Sequence, residues 1–263
     1  MSGSRRITES VGDFAVRVAV RLVVIAVAIG LWWLASSVVW SDNPVVSRIG
    51  PDESVPALWN GLIDGDLGAD LRASLVRLLA GLAMAVTVGV PLGLALGSNR
   101  RVEDASTPVV NFLRMISPLA WAPIVIVAFG VGDAPVLFLV AITAVWPLAL
   151  GTAAGVKSVS PALKELAESL GATRPERLRF VTSPVVKANV LTALRLALGV
   201  AWIVLVPAEM LGVDSGLGYA VLNARDQLDY AALGGAVLMI GITGFVIDAL
   251  FRRVLRVDPR TLA

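Results

Sequence analysis

Six apolar runs, each close to the roughly 20 residues needed to cross the hydrocarbon of a bilayer, constrain this chain more than any other feature of it. They extend from Leu22 to Val39, Ser74 to Gly97, Pro108 to Val131, Ala134 to Val156, Ala188 to Leu211 and Leu233 to Leu250, and the charges collect between them. Lipid offers no partner to a backbone N–H or C=O, so each run must close its own hydrogen bonds, as a helix does. Composition agrees, since 57% of the 263 residues are hydrophobic and 16% are charged, well under the roughly 25% charged residues of a soluble domain. The predicted fold is an all-α polytopic membrane protein. A polar segment over residues 1–21 precedes a six-helix transmembrane domain over 22–250, and a basic tail follows over 251–263.

The first run, 18 residues long, exceeds the apolar core of a signal peptide, about 7 to 15 residues. It therefore reads as a retained span, although Ala35, Ser36 and Ser37 imitate a cleavage site. Residues 41–70 are acidic and turn-rich, and Val55, Leu58, Trp59, Leu62 and Ile63 predict a short helix lying at the membrane surface. Gly89, Pro91 and Gly93 are expected to interrupt the second span, and residues 98–107 to form a turn. The third run holds Arg114, Pro118 and Pro123; prolines there kink the helix and free carbonyls, which is tolerated only against protein or a watery cavity.

Lys and Arg set the orientation. With a cytoplasmic N-terminus, sixteen of the 22 lie inside: Arg5, Arg6, Arg17, Arg21, Arg100, Arg101, Lys157, Lys164, Arg174, Arg177, Arg179, Lys187, Arg252, Arg253, Arg256 and Arg260. Arg48 and Arg225 lie outside, and Arg72, Arg77, Arg114 and Arg195 fall in or at the edges of spans. This asymmetry predicts that both termini, and the long charged loop after the fourth span, are cytoplasmic. The chain has no cysteine and no histidine, which excludes disulfides, His-based metal sites and Ser-His or Cys-His nucleophiles. No GxxxxGK[ST] phosphate loop is present either, so any ATP and Mg would have to be bound by a partner.

The longest charged stretch between spans runs from Ser160 to Pro184 and reads as two short helices. Ser160 can cap the first, with Pro161 in its first turn and Leu163, Leu166, Ala167 and Leu170 at helical spacing up to Gly171. Thr173 and Glu176 form a capping box for the second, which carries Pro175 where its missing N–H costs nothing.

On these residues the chain resembles the permease subunits of ABC importers. Their EAA loop has the order Glu-Ala-Ala, three residues, Gly, nine residues, then Ile-x-Leu-Pro; Glu165, Ala167, Gly171, Val181 and Pro184 fall on it, whereas Leu166 and Ser183 depart from it. The resemblance implies that residues 160–187 are a coupling helix seated on an ATP-binding subunit, with Glu165, Ala167, Glu168, Gly171, Ala172, Arg174, Val181 and Pro184 as its contacts. Over residues 50–250 the order of features is similar to the branch that imports taurine, aliphatic sulfonates, nitrate and cyanate, carried by LRASLVRLLAG at 71–81, VPLGLALGSNR at 90–100, LRMISPLAWAPIVIVAFGVGD at 113–133, GTAAGVKSV at 151–159 and LRLALGVAWIVLVPAEMLGVDSGLGY at 194–219. It implies a non-catalytic permease of the bacterial inner membrane that moves a small, anionic solute. The partners it implies are a second permease copy, two ATPase subunits that hold ATP and Mg, and an external binding protein; nucleic acid is not among them. A secondary transporter would show internal repeats and an intramembrane protease a catalytic dyad, and neither signal is found.

Charges inside spans cost at least about 2.5 kcal/mol each, so Arg77, Arg114, Arg195 and Glu209 are candidate pathway or buried charges. Arg114 and Arg195 are expected within one or two turns of the cytoplasmic ends of their spans, where they can snorkel. Asp248 has Arg252 four residues on as an intrahelical partner. Arg77 and Glu209, both towards the outer ends of their spans, are expected to pair, and exchanging them is expected to restore part of the assembly lost on removing either.

Overall fold

The computed structural model describes residues 3–254; Arg256 and Arg260 of the basic tail lie outside the described residues, as do the side chains of Arg5 and Arg6. Among the described residues all regular structure is helical. The elements are α1 (Gly3–Leu34), α2 (Pro51–Asp64), α3 (Asp66–Ser98), α4 (Arg100–Met115), α5 (Ala122–Phe129), α6 (Asp133–Lys157), α7 (Pro161–Ser169), α8 (Arg174–Arg177), α9 (Ser183–Glu209), α10 (Leu217–Asp226) and α11 (Tyr230–Val254). Five helical stretches are long and apolar enough to cross a membrane. A sixth crossing is available if α4 and the Pro118–Phe129 segment, bent by 85° at Ile116–Ser117, are taken as one broken span.

The centre of the molecule is α6, which packs between α3 and α9. These helices approach closely because small residues recur every four positions along α3. A Cβ on Gly89 would lie 2.9 Å from the Val145 carbonyl oxygen, and one on Gly93 would lie 2.4 Å from that of Ala149. On the other side, a Cβ on Gly151 would come within 2.4 Å of the Ala193 Cβ. In lipid, where apolar surface alone gives no preference for another helix, such close backbone approach is what drives association. The expectation that Gly89, Pro91 and Gly93 interrupt the second span is therefore corrected. They lie within one continuous 33-residue helix, and the two glycines are notches for α6.

Two further expectations change. Residues 98–107 are not a turn, because Asn99 accepts the Arg101 N–H on its side chain and starts α4 at Arg100. The predicted short helix forms as α2 and packs against α11: Ser54 is fully buried, and a Cβ on Gly235 would meet the Leu58 backbone nitrogen at 2.8 Å. Val55, Trp59 and Ile63 remain exposed. The first span is almost entirely exposed along its length and meets the rest through residues 35–50 and through α2.

Candidate functional site

The N-terminal ends of α3 and α6 and the C-terminal end of α9 meet at one end of the bundle around a buried charged cluster. Glu209 is fully buried, and the Arg77 Nη1 donates to its Oε1 at 3.0 Å. The Ser74 hydroxyl, also fully buried, lies 2.9 Å and 2.8 Å from the two carboxylate oxygens, and the Gly218 N–H donates to Oε2 at 3.0 Å. Arg77 also donates to the Asp133 carboxylate (2.7 Å), the Ser215 carbonyl (2.6 Å) and the Ser215 hydroxyl (2.8 Å). A buried charge that is paired and hydrogen-bonded on all sides avoids the penalty that an isolated one would carry.

The loop after α9 is fastened to this cluster by its backbone. Leu217 donates its N–H to the Ser74 hydroxyl at 2.8 Å, and Gly216 donates to Asp70 at 2.7 Å. Gly216 has φ +107°, and a Cβ there would lie 2.5 Å from the Glu209 Oε1, so only glycine fits. Sequence reasoning found Arg77 and Glu209 but missed Ser74, Asp133 and Ser215. Ser74 was within reach, since it lies three residues before Arg77 on one helix face; the Ser215 contact depends on how the loop returns and leaves no local pattern.

At the opposite end, residues 158–182 join α6 to α9. Helix α7 ends in a Schellman motif: the Gly171 N–H reaches the Glu168 carbonyl at 3.0 Å, the Ala172 N–H reaches that of Ala167 at 2.9 Å, and Gly171 takes φ +76°. Glu168 is ion-paired with Arg177, which ties α7 to α8. The Thr173–Glu176 box forms in modified fashion, with the Thr173 N–H and hydroxyl both donating to the Glu176 Oε2, at 2.8 and 2.7 Å. Ser160 makes no side-chain cap, contrary to expectation. Val181 lies in a π-helical turn, Leu178–Thr182, that runs directly into α9, where Pro184 in the first turn supplies no N–H to the preceding carbonyls. Glu165 is exposed, and the Arg174 side chain lies outside the described residues. Leu163, Leu166 and Leu170 are 50%, 55% and 78% exposed, a stripe along α7 and its C-terminal cap that no described residue covers.

Arg195 has a partner that the sequence did not indicate, and Arg114 lies on a longer helix than expected. Arg195 pairs across helices with Asp248 at 3.3 Å, and Asp248 also binds Arg252, so the three form a partly exposed cluster between α9 and α11. Arg114 stands at the last turn of α4, fourteen residues from its start, because α4 begins at Arg100 rather than Pro108. It is thus about 21 Å along the helix from its first residue at 1.5 Å per residue. Among the described residues, no group of three or more acidic side chains could hold a metal ion.

Residues 89–261 match the family model of the binding-protein-dependent transport system inner membrane component. This chain belongs to that family. It is a multi-pass inner-membrane protein. The family member CmpB of Synechococcus elongatus, a bicarbonate transport system permease protein, is 35% identical over 155 residues, which is 58% of this chain and 55% of CmpB. The chain therefore spans a little over half the length of that relative. The putative aliphatic sulfonates transport permease protein SsuC of Escherichia coli is 30% identical over 220 residues, covering 84% of this chain and 83% of SsuC. Among solved structures, the MetNI methionine ABC transporter in inward-facing conformations aligns with a TM-score of 0.60 at 18% identity, over 70% of this chain and 91% of the matched one. At that identity the likeness concerns the fold.

Proposed function

We propose that this inner-membrane component is the permease subunit of an ATP-driven importer for a small anionic solute, and that it catalyses no reaction itself. Two copies enclose the pathway, each engaging an ATP-binding subunit that holds ATP and Mg, while an external binding protein delivers the solute. Both termini and the 158–182 segment are cytoplasmic. The anionic class rests on the relatives, whose names specify bicarbonate and sulfonates.

One observation supports the coupling role above the rest. On a loop otherwise rich in charge, α7 leaves Leu163, Leu166 and Leu170 exposed on one face, the pattern of an amphipathic helix that lays its apolar side into a groove of a partner. The Gly171 Schellman motif and the Glu168–Arg177 pair set the angle at which that helix leaves the membrane domain. Because the Leu178–Thr182 turn is continuous with α9, a pull on α7 is passed to a helix that packs along α6.

The test is affinity purification of the tagged chain followed by reconstitution with its co-purifying subunits and binding protein. An ATPase should co-purify, and solute uptake should depend on both ATP and the binding protein. Isolation of the chain free of any ATPase, with uptake driven by an ion gradient instead, would refute the reading and favour a secondary transporter.

A further inference from the structure

The broken span frames a cavity of about 380 Å³ lined by Arg114, Trp121, Thr143, Trp146, Pro147 and Val200, among others. Its depth can be read from three helices. Glu103 near the start of α4 is ion-paired with Lys157 at the end of α6, and Arg114, eleven residues further along α4, lines the same cavity as Trp146 and Pro147 of α6. Arg114 consequently reaches the level of Trp146 and Pro147. These lie 13 and 14 residues after the start of α6 and 11 and 10 before its end, or about 15–21 Å from either end. Val200 is nine residues before the end of α9, again about 14 Å in. With a hydrocarbon core about 30 Å thick, the cavity is at mid-membrane.

An arginine at that depth is expensive unless something calls for it. Arg77 and Arg195 both have carboxylate partners. Arg114 forms no ion pair and no hydrogen bond among the described residues, and its side chain borders the cavity. The 85° break closes the cavity around it, because a straight helix would carry Trp121 away from Trp146. The remaining lining is aromatic and aliphatic, with the Thr143 hydroxyl already donating to the Leu139 carbonyl at 2.6 Å. A single unpaired cation in an apolar chamber suits an anion whose charge is at one end and whose body is apolar. The volume falls within the about 300–1,000 Å³ usual for small-molecule sites and is far larger than a nitrate or bicarbonate ion needs.

We propose that Arg114 and this chamber form a binding stop on the translocation route, halfway across the membrane, selective for an organic monoanion with an apolar body over small inorganic anions. This deepens the permease reading and rests on it. The guanidinium holds the anionic head, and Trp121 and Trp146 pack against the body. A site here makes the membrane domain a second filter behind the external binding protein. It also gives the arginine a partner only when cargo is present.

The experiment uses the full-length chain in lipid nanodiscs, with 1-pentanesulfonate as the probe and nitrate as the comparator. Tryptophan fluorescence is the readout, assigned with Trp146→Phe. Pentanesulfonate should change the fluorescence saturably, and nitrate should compete poorly. Arg114→Gln should weaken binding about 10- to 100-fold, the range for losing one charged hydrogen bond, while Arg114→Lys should retain most of it. Arg195→Gln, outside the chamber, should bind as the parent does. Since Arg114 is exposed and unpaired, its variants should melt with the parent, and that measurement separates binding from folding. Unchanged binding in Arg114→Gln, or no saturable binding by the parent chain, would overturn the site. Equal affinity for nitrate would overturn the selectivity. Either result, alongside intact ATP- and binding-protein-dependent uptake by the assembled transporter, leaves the permease reading standing; loss of that coupling would refute the permease reading whatever the fluorescence does.

Discussion

Replacing Glu209 by glutamine should destabilise the membrane domain far more than the same change of charge in the Asp248 cluster. Glu209 is fully buried, and Arg77 has a side chain only 7% exposed. Removing one partner from a buried pair costs about 3–5 kcal/mol, because the other charge is left uncompensated. Asp133 would still face the Arg77 Nε, but with its side chain 65% exposed it offsets only about 0–1 kcal/mol. The glutamine carbonyl can still accept from Gly218 or Ser74, which places the expected loss at the lower end, about 3 kcal/mol. Asp248→Asn breaks contacts between side chains 39–56% exposed and should cost less than about 1 kcal/mol. Equilibrium unfolding in mixed micelles measures both. Equal losses would refute the assignment of the Glu209 cluster as a structural anchor. The geometry also reverses the expectation that exchange rescues. Arginine at position 209 would meet the Gly218 N–H, and glutamate at position 77 would stand against Asp133. The Arg77→Glu, Glu209→Arg double variant should therefore be no more stable than the worse single one, and recovery of half the loss would show that the hydrogen bonds to Gly218 and Asp133 matter little.

Because the chain lacks cysteine, single cysteines at Asp64 and Thr173 report topology directly; a membrane-impermeant thiol reagent on intact cells should label position 64 and spare 173, and the opposite pattern would invert the proposed orientation. Gly93→Ala places a Cβ 2.4 Å from the Ala149 carbonyl oxygen, an overpacking expected to cost about 1–3 kcal/mol. Gly199→Ala meets nothing within 4 Å and should stabilise by up to about 1 kcal/mol through helix propensity; micellar unfolding that ranked the two the other way would refute the notch reading of α3. Gly171→Val must hold φ +76° at a cost of about 1–2 kcal/mol, so α7 should lose its angle and uptake should fall while the variant still inserts, and wild-type uptake would remove α7 from the coupling path.

The apolar runs determined the class and most of the spans, because run length against bilayer thickness is a local property that survives any tertiary arrangement. Gly171 was likewise readable, since a glycine ending an amphipathic run implies a left-handed residue whatever surrounds it. Arg77 and Glu209 announced themselves as charges that needed partners, and cost alone was enough to pair them. What the partners' surroundings would be was a matter of tertiary structure. Ser215 and Gly218 reach the cluster only through the return of the loop after α9, and contacts separated by more than a hundred residues leave no trace in spacing. The same holds for Gly89 and Gly93, where composition suggested a broken helix and packing against α6 made them notches in an unbroken one. Proline and glycine weaken a helix by a known amount, but whether the helix breaks depends on what its neighbours supply. In α3 the neighbour supplies close contact along the whole face, and the helix continues; at Ile116–Ser117 two prolines follow within seven residues, and the helix bends and brings Trp121 to the cavity that Arg114 borders.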